Sequence, residues 1–113
     1  MLRVYGIKNC DSVKKALKFF NSHAVSYTFI DFDTTPPSSQ DIDRWLEKIT
    51  VDELFNAKST TYRSLGLKEL SLDERGKREW LVKENRLIKR PVIETGKITL
   101  AGYNENLYKE LFL

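Results

Sequence analysis

The strongest constraint on the fold is a change of hydrophobic period within the first 32 residues. Residues 2–5 alternate as a strand does and end at Gly6, and from Asp11 onward the apolar residues recur at helical spacing. These apolar residues are Val13, Ala16, Leu17 and Phe20. The run VSYTFIDF, residues 25–32, is rich in β-branched and aromatic residues and predicts a second strand. Strand, helix and strand together predict a right-handed βαβ unit with parallel strands.

The middle of the chain departs from this pattern. The segment DTTPPSSQD, residues 33–41, contains two prolines and several residues that cap helices. Ser38 or Ser39 can cap a following helix, and Ser71 has capping-box spacing to Glu74 before another helical run. Residues 35–86 are therefore predicted to form an all-helical insertion.

The last quarter of the chain returns to strand patterns. RPVIE, a turn at Thr95 and Gly96, and KITLAGY predict a β-hairpin. A final helix over about 104–112 is expected to bring three apolar residues to the core, namely Leu107, Leu111 and Phe112. This order of elements predicts an α/β protein with a thioredoxin-like, mixed four-stranded sheet. We expect one domain, with residues 1–34 and 87–113 as its core and 35–86 as the insertion.

Composition limits the classes of partner. The chain has 113 residues, 41% of them hydrophobic, and a formal charge of +3 with acidic residues spread among the basic ones. This balance is too mild to indicate nucleic-acid binding, and no apolar run approaches the roughly 20 residues of a membrane helix. The N-terminus lacks signal-peptide features, so we expect a cytoplasmic monomer. One cysteine and one histidine do not make a metal site, and no bound cofactor is expected.

The single cysteine, Cys10, lies in the polar loop KNCDS directly before the first helix. We expect Asp11 or Ser12 to be the N-cap of this helix, whose free N–H groups and dipole would stabilise a thiolate. Lys8 and Lys14 add positive charge nearby, and such surroundings make a cysteine nucleophilic at neutral pH. The alternative is an inert cysteine that packs as a small apolar residue. The polar loop favours the reactive thiol.

Two arginines are candidates for binding an anion. Arg90 precedes Pro91 at the start of the predicted third strand. In thioredoxin-like folds a proline at this point is usually cis and faces the active cysteine, so we expect a cis Pro91 that places Arg90 beside Cys10. The planar guanidinium could then bind an anion through two hydrogen bonds. Arg63, in TTYRSLG, is the second candidate, and for both arginines the alternative is a solvated surface side chain.

Taken together, YGIKNCDSVKKAL, TTYR and LIKRPVIE resemble the ArsC/Spx family of arsenate reductase-like proteins, and within it the YffB-like branch. The resemblance implies that Cys10 is the nucleophile, Ser12 a nearby hydroxyl and Lys14 a basic residue of the first helical turn. It also implies that Arg63 and Arg90 match two anion-binding arginines of the glutathione-coupled arsenate reductases.

Two positions depart from the family pattern. Gly102 stands where those reductases carry a third arginine, which makes efficient arsenate reduction doubtful. Val13 occupies the fourth position of the Cys-x-x-Cys switch of Spx-type regulators, which bind RNA polymerase. An internal disulfide switch is therefore excluded.

The resemblance implies a thiol-dependent reductase. Cys10 would attack an oxidised thiol or an oxyanion such as arsenate. The chain has no resolving cysteine, so glutathione or a glutaredoxin would act as the external reductant. Two alternatives stay open, a non-enzymatic module that contacts RNA polymerase or another protein, and a relict domain without activity.

Overall fold

The computed structural model describes all residues from 1 to 113. The chain divides into two compact units, one formed by Met1–Thr35 with Arg90–Leu113 and the other by Pro36–Lys89. The helical unit therefore begins one residue later and ends three residues later than the predicted insertion, 35–86. None of the helices combines the length and apolar character that crossing a membrane requires.

The first unit is built on a four-stranded sheet. Its strands are β1 (Arg3–Gly6), β2 (Thr28–Asp31), β3 (Val92–Glu94) and β4 (Thr99–Ala101). They lie in the order β2-β1-β3-β4, with β1 parallel to β2 and antiparallel to β3, and β4 antiparallel to β3. The predicted thioredoxin-like mixed sheet is confirmed, including the parallel pair of the βαβ unit.

Two helices of this unit share one hydrophobic core with the sheet. They are α1 (Asp11–Ser22) and α6 (Glu105–Phe112). The buried members of the core are Leu2, Val4, Ala16, Phe19, Phe20, Ile93 and Tyr108. Val4 and Ile93 are opposite each other in the register of β1 and β3, which sets the face of the sheet that the core covers.

Tyr108, rather than Leu111, is the buried residue of α6. Its ring lies parallel to Phe20 with centroids 5.6 Å apart, whereas the side chain of Leu111 is 44% exposed. The prediction that Leu111 enters the core is wrong, because α6 is rotated so that Tyr108 and Phe112, four residues apart, face inward. The Tyr108 hydroxyl donates to the carbonyl oxygen of Gly102 at 2.7 Å, so the buried phenol is hydrogen-bonded.

The second unit is helical. It contains α2 (Ser39–Leu46), α3 (Val51–Leu54), α4 (Thr60–Ser64) and α5 (Glu74–Lys83). Arg78 donates to both carboxylate oxygens of Asp43, at 2.9 and 2.8 Å, and this pair joins α5 to α2. The ammonium of Lys77 lies 2.7 Å from Asp52, which joins α5 to the first turn of α3.

Side-chain caps determine where the helices of the second unit begin. Ser38 caps α2 in a capping box with Asp41, as one of the two predicted serines. The predicted cap at Ser71 is wrong. Asp73 caps α5 by accepting from the N–H of Gly76 at 2.8 Å, whereas Ser71 lies in the left-handed region at the end of a short 3-10 helix.

Candidate active site

One edge of the sheet brings together the segments that the sequence singled out. Tyr5 lies opposite Val92 in the antiparallel register of β1 and β3. The chain that leaves β1 and the chain that enters β3 therefore meet at the same edge. Cys10 lies on the first of these segments, and Arg90 with Pro91 lies on the second.

Cys10 is itself the N-cap of α1. Its backbone is extended (φ −143°, ψ 123°), its carbonyl accepts from the N–H of Lys14 at 2.9 Å, and no side chain caps the helix. The prediction of Asp11 or Ser12 as the N-cap is therefore wrong, because the helix begins at Asp11. The sulfur thus belongs to the residue that borders the free amides and the positive end of the helix dipole.

The exposure of the first turn suits a reactive thiol better than an inert one. Cys10 is partly exposed, not buried. Ser12 is half-buried on the same turn, and Lys8 and Lys14 are exposed on either side of the cysteine in sequence. Asp11 is also exposed, so its charge is solvated by water.

The Arg90–Pro91 peptide bond is cis, the isomer expected from the sequence. Pro91 is buried and Arg90 is half-buried. The carbonyl of Pro91 accepts from the backbone N–H of Gly102 at 2.8 Å. This hydrogen bond attaches the start of β3 to the residue that follows β4.

Gly102 contributes no side chain to this edge of the sheet, and its backbone conformation disfavours any residue other than glycine. Its φ is +90°, a conformation that residues other than glycine rarely adopt. It donates to Pro91 and accepts from Tyr108, so both of its backbone polar groups are used. Gly102 is therefore a structural link between Tyr108 and Pro91.

Gly6 and Val13 lie against each other, a contact that the sequence did not predict. A methyl group built at Gly6 would lie 2.6 Å from Cγ2 of Val13, which is fully buried. The sequence predicted Gly6 only as the end of a strand, and Val13 as a residue of the apolar helical face and of the fourth position of the Cys-x-x-Cys switch. The sequence signal for this close approach of strand and helix was a glycine directly before the loop that joins them.

Arg63 lies on α4 in the second unit. Its guanidinium donates to the carbonyl of Lys58 at 2.9 Å and lies 3.5 Å from the hydroxyl of Thr60. The side chain is exposed and lines a cavity of about 380 Å³ together with Lys58, Lys68 and a single carboxylate, Glu69. The second unit therefore presents a concave surface with an excess of positive charge.

The sheet order, the cysteine at the start of the first helix and the cis-proline at the start of the third strand define a thioredoxin-like protein. The ArsC family model matches residues 5–111, and the chain belongs to the ArsC family.

Relatives and solved structures agree with this assignment. A protein from Haemophilus influenzae is 36% identical over 113 residues and covers 99% of each chain. The structure of the YFFB protein is 32% identical, covers 100% of both chains and has a TM-score of 0.92. A possible arsenate reductase from Streptococcus mutans is 30% identical, covers 95% of this chain and 97% of its own, and has a TM-score of 0.77.

Transcriptional regulators are related to this chain as well. The global transcriptional regulator Spx of Listeria monocytogenes is 28% identical over 108 residues, which cover 94% of this chain and 82% of Spx. The family to which this chain belongs thus contains arsenate reductase-like proteins and regulators.

Proposed function

We propose that this protein is a thiol-dependent reductase in which Cys10 is the nucleophile. The observation that supports this most strongly is the position of Cys10, which is the partly exposed N-cap of a 12-residue helix. The cis Arg90–Pro91 bond at the same edge of the sheet, and membership of the ArsC family, give further support.

With a glutathione mixed disulfide, the reaction is two thiol–disulfide exchanges. The Cys10 thiolate attacks the glutathione sulfur of RS–SG, forms Cys10–S–SG and releases RS⁻, which takes up a proton. The chain contains one cysteine, so an external glutathione thiolate must open the new disulfide. It forms oxidised glutathione and returns Cys10 to the thiolate. The sum is RSSG and GSH converted to RSH and GSSG.

With arsenate, the same nucleophile begins a two-electron reduction. Cys10 forms a bond to arsenic and one arsenate oxygen leaves as water. A glutathione thiolate then attacks the Cys10 sulfur, and the electron pair of the As–S bond leaves with arsenic as arsenite. A second glutathione releases Cys10 as described above. The sum is arsenate and two GSH converted to arsenite, GSSG and water.

Cationic and polar groups would hold the anionic substrate. Arg90 would bind a carboxylate or oxyanion with two hydrogen bonds, while the hydroxyl of Ser12 donates another and Lys14 adds charge. Arg63 is proposed as a further anion-binding residue because it lines the cationic concave surface of the second unit. Gly102 contributes no third cation, so we expect faster turnover of a glutathione mixed disulfide than of arsenate.

Turnover by a Cys10→Ser variant tests this proposal. Serine is a preferred N-cap, so the variant should keep the fold and melting temperature of the wild type. It should lose all glutathione-dependent reduction of both substrates. Ser22→Ala, an exposed change at the other end of α1, is the control and should keep full turnover. Turnover retained by Cys10→Ser, or no turnover of either substrate by the wild type, would overturn the proposal.

A second candidate is a non-enzymatic module that contacts RNA polymerase or another protein. It is favoured by the exposed apolar side chains of Leu65 (45%) and Leu70 (55%) in the second unit, and by the Spx relatives. Binding to purified RNA polymerase that survives Cys10→Ser and is lost in a Leu65→Asp/Leu70→Asp variant would support this module. An absence of binding by the wild type would reject it.

A further inference from the structure

The end of β1 is held in place by the neighbouring strand. Gly6 is the last residue of β1 and is opposite Asp31 in the register with β2. Its carbonyl accepts from the N–H of Phe32 at 2.8 Å. The backbone of Gly6 therefore cannot move without breaking the sheet at this edge.

Val13 lies directly against this backbone. It is the third residue of α1 and is fully buried. A Cβ at Gly6 would meet Cγ2 of Val13 at 2.6 Å, Cγ1 at 3.6 Å and Cβ at 3.7 Å. The branched side chain of valine is stiff at χ1 and has no free space to turn into, so it cannot relieve such a contact alone.

The requirement for glycine at this position comes from space, not from backbone conformation. Gly66 and Gly102 have positive φ angles, but Gly6 does not. Alanine would therefore be allowed by the backbone of Gly6, and only the contact with Val13 opposes it. The absence of a Cβ lets the first turn of α1 lie closer to the strand than an alanine would permit.

The same turn carries the cysteine. The carbonyl of Cys10 accepts from the N–H of Lys14, so Cys10 and Val13 are fixed in one hydrogen-bonded turn. We propose that Gly6, through its contact with Val13, is the positioning residue that sets where Cys10 lies relative to the edge of the sheet. This inference rests on the proposed role of Cys10 as the nucleophile. A side chain at Gly6 would displace the turn and, with it, the sulfur.

The test compares three variants by the turnover of a glutathione mixed disulfide. In Gly6→Ala, kcat/KM should fall by about tenfold to a hundredfold, because the displaced sulfur no longer lies where the bound substrate presents its disulfide. Gly6→Ala/Val13→Ala should restore most of the wild-type kcat/KM, because it removes the clashing methyl groups of Val13. Gly96→Ala is the control, since a Cβ there meets nothing within 4 Å.

Backbone amide signals of residues 10–14, followed by NMR, provide a readout that does not depend on the chemistry. They should shift in Gly6→Ala and return in the double variant. Wild-type kcat/KM in Gly6→Ala, with unshifted amides, would overturn the inference. A wild type without turnover would overturn the proposed function instead, and the amide signals would still test the contact.

Folding of the variants is part of the test. If Gly6→Ala does not fold, the double variant should do so, because the steric conflict lies between these two residues. A double variant that also fails to fold would contradict the inference.

Discussion

Gly102 donates its backbone N–H to the carbonyl of Pro91 at 2.8 Å, and its own carbonyl accepts from the hydroxyl of Tyr108 at 2.7 Å. Two hydrogen bonds thus connect the aromatic core of the first unit to Pro91, the residue that follows Arg90. The start of β3 is positioned by a buried helix residue, and not only by its own loop.

Replacement of Tyr108 by phenylalanine should lower stability without changing the fold. The variant leaves the carbonyl of Gly102, a buried residue, without its donor, which costs about 1–2 kcal/mol in free energy of unfolding. Urea denaturation at neutral pH measures this. Tyr27→Phe, which removes a hydrogen bond of 3.2 Å to Asn21 on the surface, should cost less than about 0.5 kcal/mol. Equal losses in the two variants would contradict the role given to Tyr108.

The same residue should make stability depend on alkaline pH. Burial, and secondarily the nearby Tyr103, raise the pKa of Tyr108 above its ordinary value of 10.0. Above pH 10 the unfolded chain loses the phenol proton while the folded chain keeps it, so the unfolded state binds fewer protons and stability falls as pH rises. The stability advantage of wild type over Tyr108→Phe should therefore shrink above about pH 10 and stay constant below it. An advantage that grows with pH would contradict this sign.

Replacement of Arg90 by alanine should weaken substrate binding. A bidentate, charge-assisted pair contributes about 1.5–3 kcal/mol, so KM for a glutathione mixed disulfide should rise at least about tenfold. Arg90→Lys should recover only part of this affinity, since an ammonium cannot form the planar pair. Lys89→Ala, an exposed change at the adjacent residue, is the control and should leave KM unchanged. A KM that is unchanged in Arg90→Ala would remove Arg90 from the proposed site.

Insertion of an arginine at Gly102 should not create a better arsenate reductase. The φ of +90° places any other residue in a strained conformation that costs about 1–3 kcal/mol. Gly102→Arg should therefore melt at a lower temperature and show no gain in arsenate turnover. Gly96→Arg adds the same charge at an exposed turn without close neighbours and should keep the wild-type melting temperature. A stable Gly102→Arg with raised arsenate turnover would show that charge alone is missing.

The elements with a clear hydrophobic period were predictable from the sequence. The change of hydrophobic period between residues 2–5 and α1 is a local signal, and the turn at Thr95 and Gly96 marks the hairpin. The sheet and its parallel strand pair could therefore be predicted from the hydrophobic pattern and the right-handedness of βαβ units. The cap of α1 was not predictable. Aspartate and serine are better N-caps than cysteine. In the structure the helix nevertheless begins at Asp11, which makes the preceding residue, Cys10, the N-cap.

The contacts that position the candidate site depend on distances between segments. The helical spacing of apolar residues favoured Leu111 over Tyr108 as the buried residue of α6. This spacing does not show that a phenol hydroxyl can reach the carbonyl of Gly102. The contact between Gly6 and Val13 likewise appears only when the strand and the helix are placed together. Such relationships are missing from the sequence because they are set by tertiary packing.

The rate of Cys10 alkylation at pH 7 tests the central claim most directly. The chain has one cysteine, so the rate of its modification by iodoacetamide reports this thiol alone, and the same chain unfolded in urea supplies the reference. We predict that Cys10 of the native chain reacts faster at pH 7 than Cys10 of the unfolded chain, because the start of α1 favours the nucleophilic thiolate. A native rate equal to or below the unfolded one would contradict the proposal that the start of α1 makes Cys10 a nucleophile.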